Sequence, residues 1–296
     1  MASADRFAYP IASVAALDPA VQAALAPHLA AEDPVRQIIY SPALYNLPRG
    51  RKFGPEVRIP PGEPPASVLV LTGERLLTVT VLKPPAEPPV IVTPLADLLR
   101  LELGQILLFS WLEWSWASAG QLAVHCVFFN TVGENLFWGL ATAMRQAVIA
   151  GADPPPQTGR PKEETFLDLP YKFENLVPNK LMLPDERVQA VVFQPAIWQR
   201  RWLVFKRRRG PAVTVVLSPE HLLLAHEDSP PAGAAYGMIA RYCPRTRLAA
   251  LAVESEGEDR WLAVTLRLHG VEESWRTLFQ PAAEPALRAL VEQAAL

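Results

Sequence analysis

The chain has 296 residues, half of them hydrophobic and a fifth charged, which is a globular rather than a disordered composition. Its net charge of -2 argues against general nucleic-acid binding, which needs a broadly basic surface. Two cysteines, Cys126 and Cys243, are too few for a disulfide framework and read as reduced thiols, with one long-range disulfide as the alternative.

Asp5, Arg6, Pro10 and Asp18 interrupt any apolar leader at the start of the chain. Asp18-Pro19 combines an N-cap with a proline suited to the first helical position, and predicts a short helix to about Ala26. Val35 to Tyr40 is β-branched and aromatic and predicts a strand. Arg49 to Pro65 is dense in Gly and Pro and reads as loop. Val68 to Leu71 and Leu76 to Leu82 predict strands around Thr72-Gly73-Glu74, and Leu95 to Leu103 predicts another. Leu107 to Trp116 and Leu122 to Phe129 form a hairpin pattern. Trp114 to Gly133 contains no Asp, Glu, Lys or Arg, but its polar residues and central turn fit a buried hairpin better than a membrane span. A helix from Gly133 to Ala150 follows, with Thr131 and Glu134 at capping-box spacing and Leu136, Leu140, Met144 and Val148 on one face.

Pro154-Pro155-Pro156 marks a linker at 151–166, dividing the chain into domains 1–150 and 167–296. Strands are predicted at 188–193, 201–206, 213–217, 222–226, 236–241, 248–253, 261–268 and 272–279, before a closing helix with Leu287, Leu290 and Val291 on its apolar face. The two halves match in spacing. Pro94, Leu98, Leu101, Trp111, Leu112, Gly120, Phe129 and Glu134 fall on Pro244, Leu248, Leu251, Trp261, Leu262, Gly270, Phe279 and Glu284, a constant offset of 150. Upstream, Thr72 and Arg75 fall on Ser218 and His221 at offset 146, and Val35 falls on Val188 at offset 153. Each half is thus a run of strands closed by a helix, which predicts a mainly β (α+β) protein of two small barrels, each plugged by its helix.

That arrangement looks like the pleckstrin-homology-like barrel. Val68 to Leu77, an apolar strand running into Thr, two turn residues and Arg-Leu, resembles the hairpin of the bacterial PH and GRAM-like families. Leu183-Pro184-Asp185-Glu186-Arg187-Val188 resembles their acidic lead-in. The second half departs from the pattern with His221 in place of the Arg. The resemblance implies tandem domains that bind or scaffold rather than catalyse, although one fold carries many functions.

No nucleophile elbow, phosphate loop or dinucleotide fingerprint is present, and the five histidines form no metal pair, so no catalytic, metal or cofactor residues are assigned. Two features point to partners. Arg200, Arg201, Lys206, Arg207, Arg208 and Arg209 surround Trp202 to Phe205 and form a basic hairpin suited to an anionic partner, with a weaker cluster at Arg49, Arg51, Lys52 and Arg58. Trp111 and Trp261 sit on the strand face opposite the all-apolar sets Leu112, Trp114, Trp116 and Leu262, Val264, Leu266, as expected of a contact surface between halves or chains. The expectation is a non-enzymatic, cytoplasmic binding or assembly module with a protein partner or self-association. A membrane-peripheral protein that binds anionic lipid through the hairpin is the alternative, and an enzyme with an unrecognised site the third reading.

Overall fold

The computed structural model describes residues 6–45, 57–58, 62–82, 86–107, 109–150, 158–162, 165–201, 205–228 and 237–295. The first half contains strand β1 (Tyr9–Pro10), helix α1 (Pro19–Leu25), strands β2 (Gln37–Ser41), β3 (Ser67–Leu71), β4 (Arg75–Thr80), β5 (Val90–Pro94), β6 (Leu98–Ile106), β7 (Phe109–Ser118) and β8 (Gln121–Asn130), and helix α2 (Glu134–Ala150). The second contains α3 (Tyr171–Leu176), β9 (Ala190–Gln194), β10 (Ile197–Arg201), β11 (Phe205–Gly210), β12 (Val213–Leu217), β13 (His221–Glu227), β14 (Gly237–Pro244), β15 (Leu248–Glu256), β16 (Asp259–Leu268), β17 (Val271–Phe279) and α4 (Glu284–Ala294). The protein is mainly β. From β6 to α2 and from β15 to α4 the elements run in the same order, each preceded by a 3-10 turn, Leu95–Asp97 or Arg245–Arg247.

The strands form four sheets, in the orders β1-β2-β3-β4-β5, β8-β7-β6-β14-β13-β12-β9, β15-β16-β17 and β10-β11. Ile38, Val68, Val70, Leu77 and Val79 turn one face of the five-stranded sheet onto Leu17, Val21 and Leu25 beside and along α1. Asp18 starts that helix by accepting from the Ala20 amide at 2.8 Å. The other face, with Ile39, Leu69, Leu71 and Leu76, joins Leu101, Leu103, Leu112 and Trp114 of the seven-stranded sheet in the largest core. Phe137, Leu140 and Met144 of α2 enter the same core, as do Leu223 and Tyr242 of the second half. On the opposite side, Val215, Leu217, Leu222 and Leu224 pack on Leu262, Val264, Leu266 and the Leu287 and Leu290 face of α4.

The expected pair of separate closed barrels does not form. All four sheets are open among the described residues, and in the seven-stranded one β6 spends its free edge on the other half. It pairs antiparallel with β14, from Leu101 opposite Tyr242 to Ile106 opposite Gly237. Its outward backbone groups are thereby satisfied across the halves, which removes any demand for closure within one half. The linker expectation falls partly on 151–157, outside the described residues. Downstream, Arg160 bridges Val188, and Phe166 is buried in the shared core.

Two local expectations are corrected. Thr131 and Glu134 form no capping box: Thr131 shares a 3.0 Å hydrogen bond with Ser110, Glu134 pairs with Lys180, and Asn130 caps the preceding 3-10 turn from its side chain. The single strand expected at 201–206 is divided between β10 and β11, which pair antiparallel from Ile197 opposite Gly210 to Arg201 opposite Phe205.

Candidate functional site

Hairpin β10–β11 is a two-stranded sheet of its own, entered from β9 and left into β12. Residues 197–212 carry six cations and no acid. Its base is anchored. Ile197 is buried, and the Arg208 guanidinium lies 5.0 Å from the ring centre of Trp198 while donating to the Asp228 carbonyl at 3.0 Å. Arg209 grips both carboxylate oxygens of Asp259 at 3.0 and 2.7 Å. Arg207 and Gln199 are opposite each other and exposed, and Trp198 is 47% exposed. Arg200 stands opposite Lys206, and Arg201 opposite Phe205, in backbone register. Trp202, Leu203 and Val204 lie outside the described residues, as do Arg49, Arg51 and Lys52.

Trp111 lies on the sheet face opposite Leu112 and Trp114 and is fully buried, packed with Ile106, Phe109, Val57 and the second half's Ile239. Its indole crosses its strand partner Gly104 so closely that a Cβ there would meet the ring at 2.0 Å. Its Nε1 donates to Glu102 at 3.1 Å. Glu102 belongs to a buried ionic network shared by the halves. Arg241 reaches it at 2.6 Å, and Arg100 bridges Glu113 and Glu273, both at 2.8 Å. Ser115 also hydrogen-bonds Glu273, and Arg58 pairs with Glu113 at 3.0 Å. Burial alone would raise the Glu102 pKa, but Arg241, Arg100 and Arg58 outweigh it and pull it down to about 2. Three arginines face three glutamates, so the cluster balances its own charge. Trp261 has a different setting. It is half-buried on the outer face of β15–β17 with the Arg276 guanidinium 4.8 Å from its ring centre, and Arg276 pairs with Glu254 and Glu256.

A third arrangement occurs once in each half. In the first, Asp33 accepts from Thr72 Oγ1 at 2.7 Å, from Arg75 Nε at 3.0 Å and from the Glu74 amide at 3.0 Å, tying the approach to β2 onto the β3–β4 turn. Burial would raise the Asp33 pKa, but these hydrogen bonds hold it below the usual range. In the second, Glu186 accepts from Ser218 Oγ at 2.5 Å and the Leu183 amide at 2.8 Å, and contacts His221 Nδ1 at 3.1 Å. Arg145 of α2 reaches in from the first half, 3.0 Å from Glu186 and 4.1 Å from the Tyr242 ring centre. Burial, then the Arg145 charge, depress the His221 pKa and favour the neutral ring. Ser, His and Glu meet here without the relay of a catalytic triad, since Ser218 and His221 both address Glu186. They are also buried, so the arrangement reads as a turn clamp.

A groove of about 680 Å³ runs between Arg75, Pro94, Leu95, Val148 and Arg247. Its two cations have partners within the chain. Arg75 holds Asp33, and Arg247 donates to the carbonyls of Ala96 at 2.6 Å and Leu98 at 3.3 Å. Cys126 and Cys243 are free thiols, and burial raises the pKa of both. No described helix is long and apolar enough to cross a membrane. No family model matches the chain, and no curated protein is significantly similar to it.

Sequence reasoning missed the ionic network and the acids of both clamps. A signal for the first was present: Arg100 and Glu102, two apart in an apolar strand, share a face that must either meet water or find partners. For the clamps, Asp33 and Glu186 keep the 153-residue offset that relates Val35 to Val188.

Proposed function

We propose that this protein is a non-enzymatic, cytoplasmic binding or assembly module that offers hairpin β10–β11 to an acidic partner protein. The observation that carries this reading is the contrast in how charge is used. The Arg100 network and the two turn clamps satisfy their ionised groups internally, whereas the hairpin gathers six cations without one acid of its own. Its anchored base and exposed Arg207 fit a presented element better than a packed one. The likeness of Val68 to Leu77 to the hairpin of bacterial PH-like domains supports the same reading. A second reading, an anionic lipid surface, is favoured by Trp198, half in water beside Arg208, an amphipathic pairing suited to a headgroup layer.

The test replaces Arg200, Arg201, Lys206 and Arg207 with Gln, leaving the anchors Arg208 and Arg209 in place. The wild type should bind a polyglutamate peptide at low salt, lose it at high salt and lose it in the variant. The variant should melt with the wild type, as expected of cations presented to a partner rather than packed into the fold. Capture by phosphatidylserine vesicles without peptide binding would select the lipid reading. Binding to neither probe would contradict both.

A further inference from the structure

Strand β8 ends the seven-stranded sheet, and among the described strands its only partner is β7. It is ten residues long and uncharged throughout, with Leu122 40% and Val124 50% exposed. A long apolar edge is a template for another strand, and proteins ordinarily protect such edges with charge. The strand at the same place in the second half, β17, has that protection in the exposed Glu272 and Arg276. β8 has none.

The turn before β8 fixes which of its backbone groups are open. Ala119 and Gly120 both have positive φ, 47° and 77°, as a two-residue hairpin turn of the primed type requires. Ser118 and Gln121 are then a hydrogen-bonded pair, and so is every second residue along the ladder. The amides and carbonyls of Leu122, Val124, Cys126 and Phe128 therefore point away from β7. Phe128 is already engaged, since its carbonyl accepts from Ser41 Oγ at 3.2 Å. Among the described residues that leaves Leu122, Val124 and Cys126 as the open segment.

We propose that β8 pairs antiparallel with β8 of a second copy of this chain, about a two-fold axis at Val124. Val124 then faces its own counterpart, Leu122 faces Cys126 of the other copy, and about six backbone hydrogen bonds form. Because the segment is uncharged, setting it against itself incurs no like-charge penalty. The sheet already grows by joining edges, at β6 and β14 between the halves, and the β8 contact continues it across two molecules. This inference is independent of what the hairpin binds.

Sedimentation velocity on the full chain tests it. The wild type should show a concentration-dependent dimer. Val124→Lys and Val124→Glu should each be monomeric, and an equimolar mixture should regain a dimer, because the axis places position 124 opposite itself. A wild type that stays monomeric up to its solubility limit overturns the proposal, even if the edge then captures a foreign peptide. So does a Val124→Lys protein that remains dimeric. Should either variant fail to fold, the wild type still decides by hydrogen exchange. The amides of Leu122, Val124 and Cys126 should slow as concentration rises while those of Glu272, Ser274 and Arg276 do not, and no slowing contradicts the pairing.

Discussion

The sheet units β6–β8 and β15–β17 share length, turn positions and a tryptophan at the start of the middle strand, yet their outer faces have opposite fates. In the first unit that face is interior. Gly104 makes room for the Trp111 ring, and Arg100, Glu102 and Glu113 close a network with Arg241 and Glu273 of the second half. In the second unit the residue opposite Trp261 is Glu254, and the ring is covered by Arg276 with its exposed acids. The edges differ in the same sense, since β6 is paired with β14 and, among the described strands, β15 has only β16. Strand alternation decides which residues share a face, but the rest of the molecule decides whether that face is inside.

The largest effect should come from breaking the network on one side of this comparison. Arg100→Leu strands buried carboxylates and should cost about 3–5 kcal/mol in a urea titration. Arg276→Leu removes exposed pairs and should leave the midpoint unchanged. Equal losses would mean that the two faces are equivalent. Next comes the glycine. Gly104→Ala drives a methyl into the Trp111 ring and should cost about 1–3 kcal/mol or more, whereas Glu254→Ala at the matching place should be tolerated.

Acid should open the same network gradually. Glu102 is held at about 2 in the folded protein against an ordinary 4.5, so the unfolded chain takes up its proton first. Its stabilisation is complete above pH 4.5 and is lost as the pH falls from there towards about 2. Glu102→Gln should begin less stable and show a shallower acid limb; an unchanged slope would remove Glu102 from the account. A smaller effect should separate the turn clamps. Since the His221 pKa is depressed, the second clamp weakens as the pH falls below 6.5, while the first has Arg75 where the second has that imidazole. After correction for intrinsic rates, amides of residues 218–222 should exchange faster at about pH 5.5 than at about pH 7, with those of residues 72–76 little changed.

Much of this was legible in the strands themselves. The alternation of Trp111 against Leu112 and Trp114 set their faces, and the apolar spacing from Leu136 to Val148 set α2. The pairing of β6 with β14 was not, because an edge partner more than a hundred residues away leaves no local mark. The clamp acids were hidden for a related reason: Asp33 and Glu186 sit in loops and gain meaning only from the turn that folds over them. The basic run was visible as charge, but no Gly, Pro or Asn between Arg201 and Phe205 signals its division into two strands.

Residue-resolved hydrogen exchange along β6 and β15 tests most directly the claim that one unit is enclosed and the other is not. Protection should be continuous from Leu101 to Ile106, where both edges of β6 are bonded, and should alternate between slow and fast from Leu251 to Glu256, where among the described strands only β16 is bonded to β15. Alternating fast exchange in β6 as well would contradict a sheet that joins the two halves.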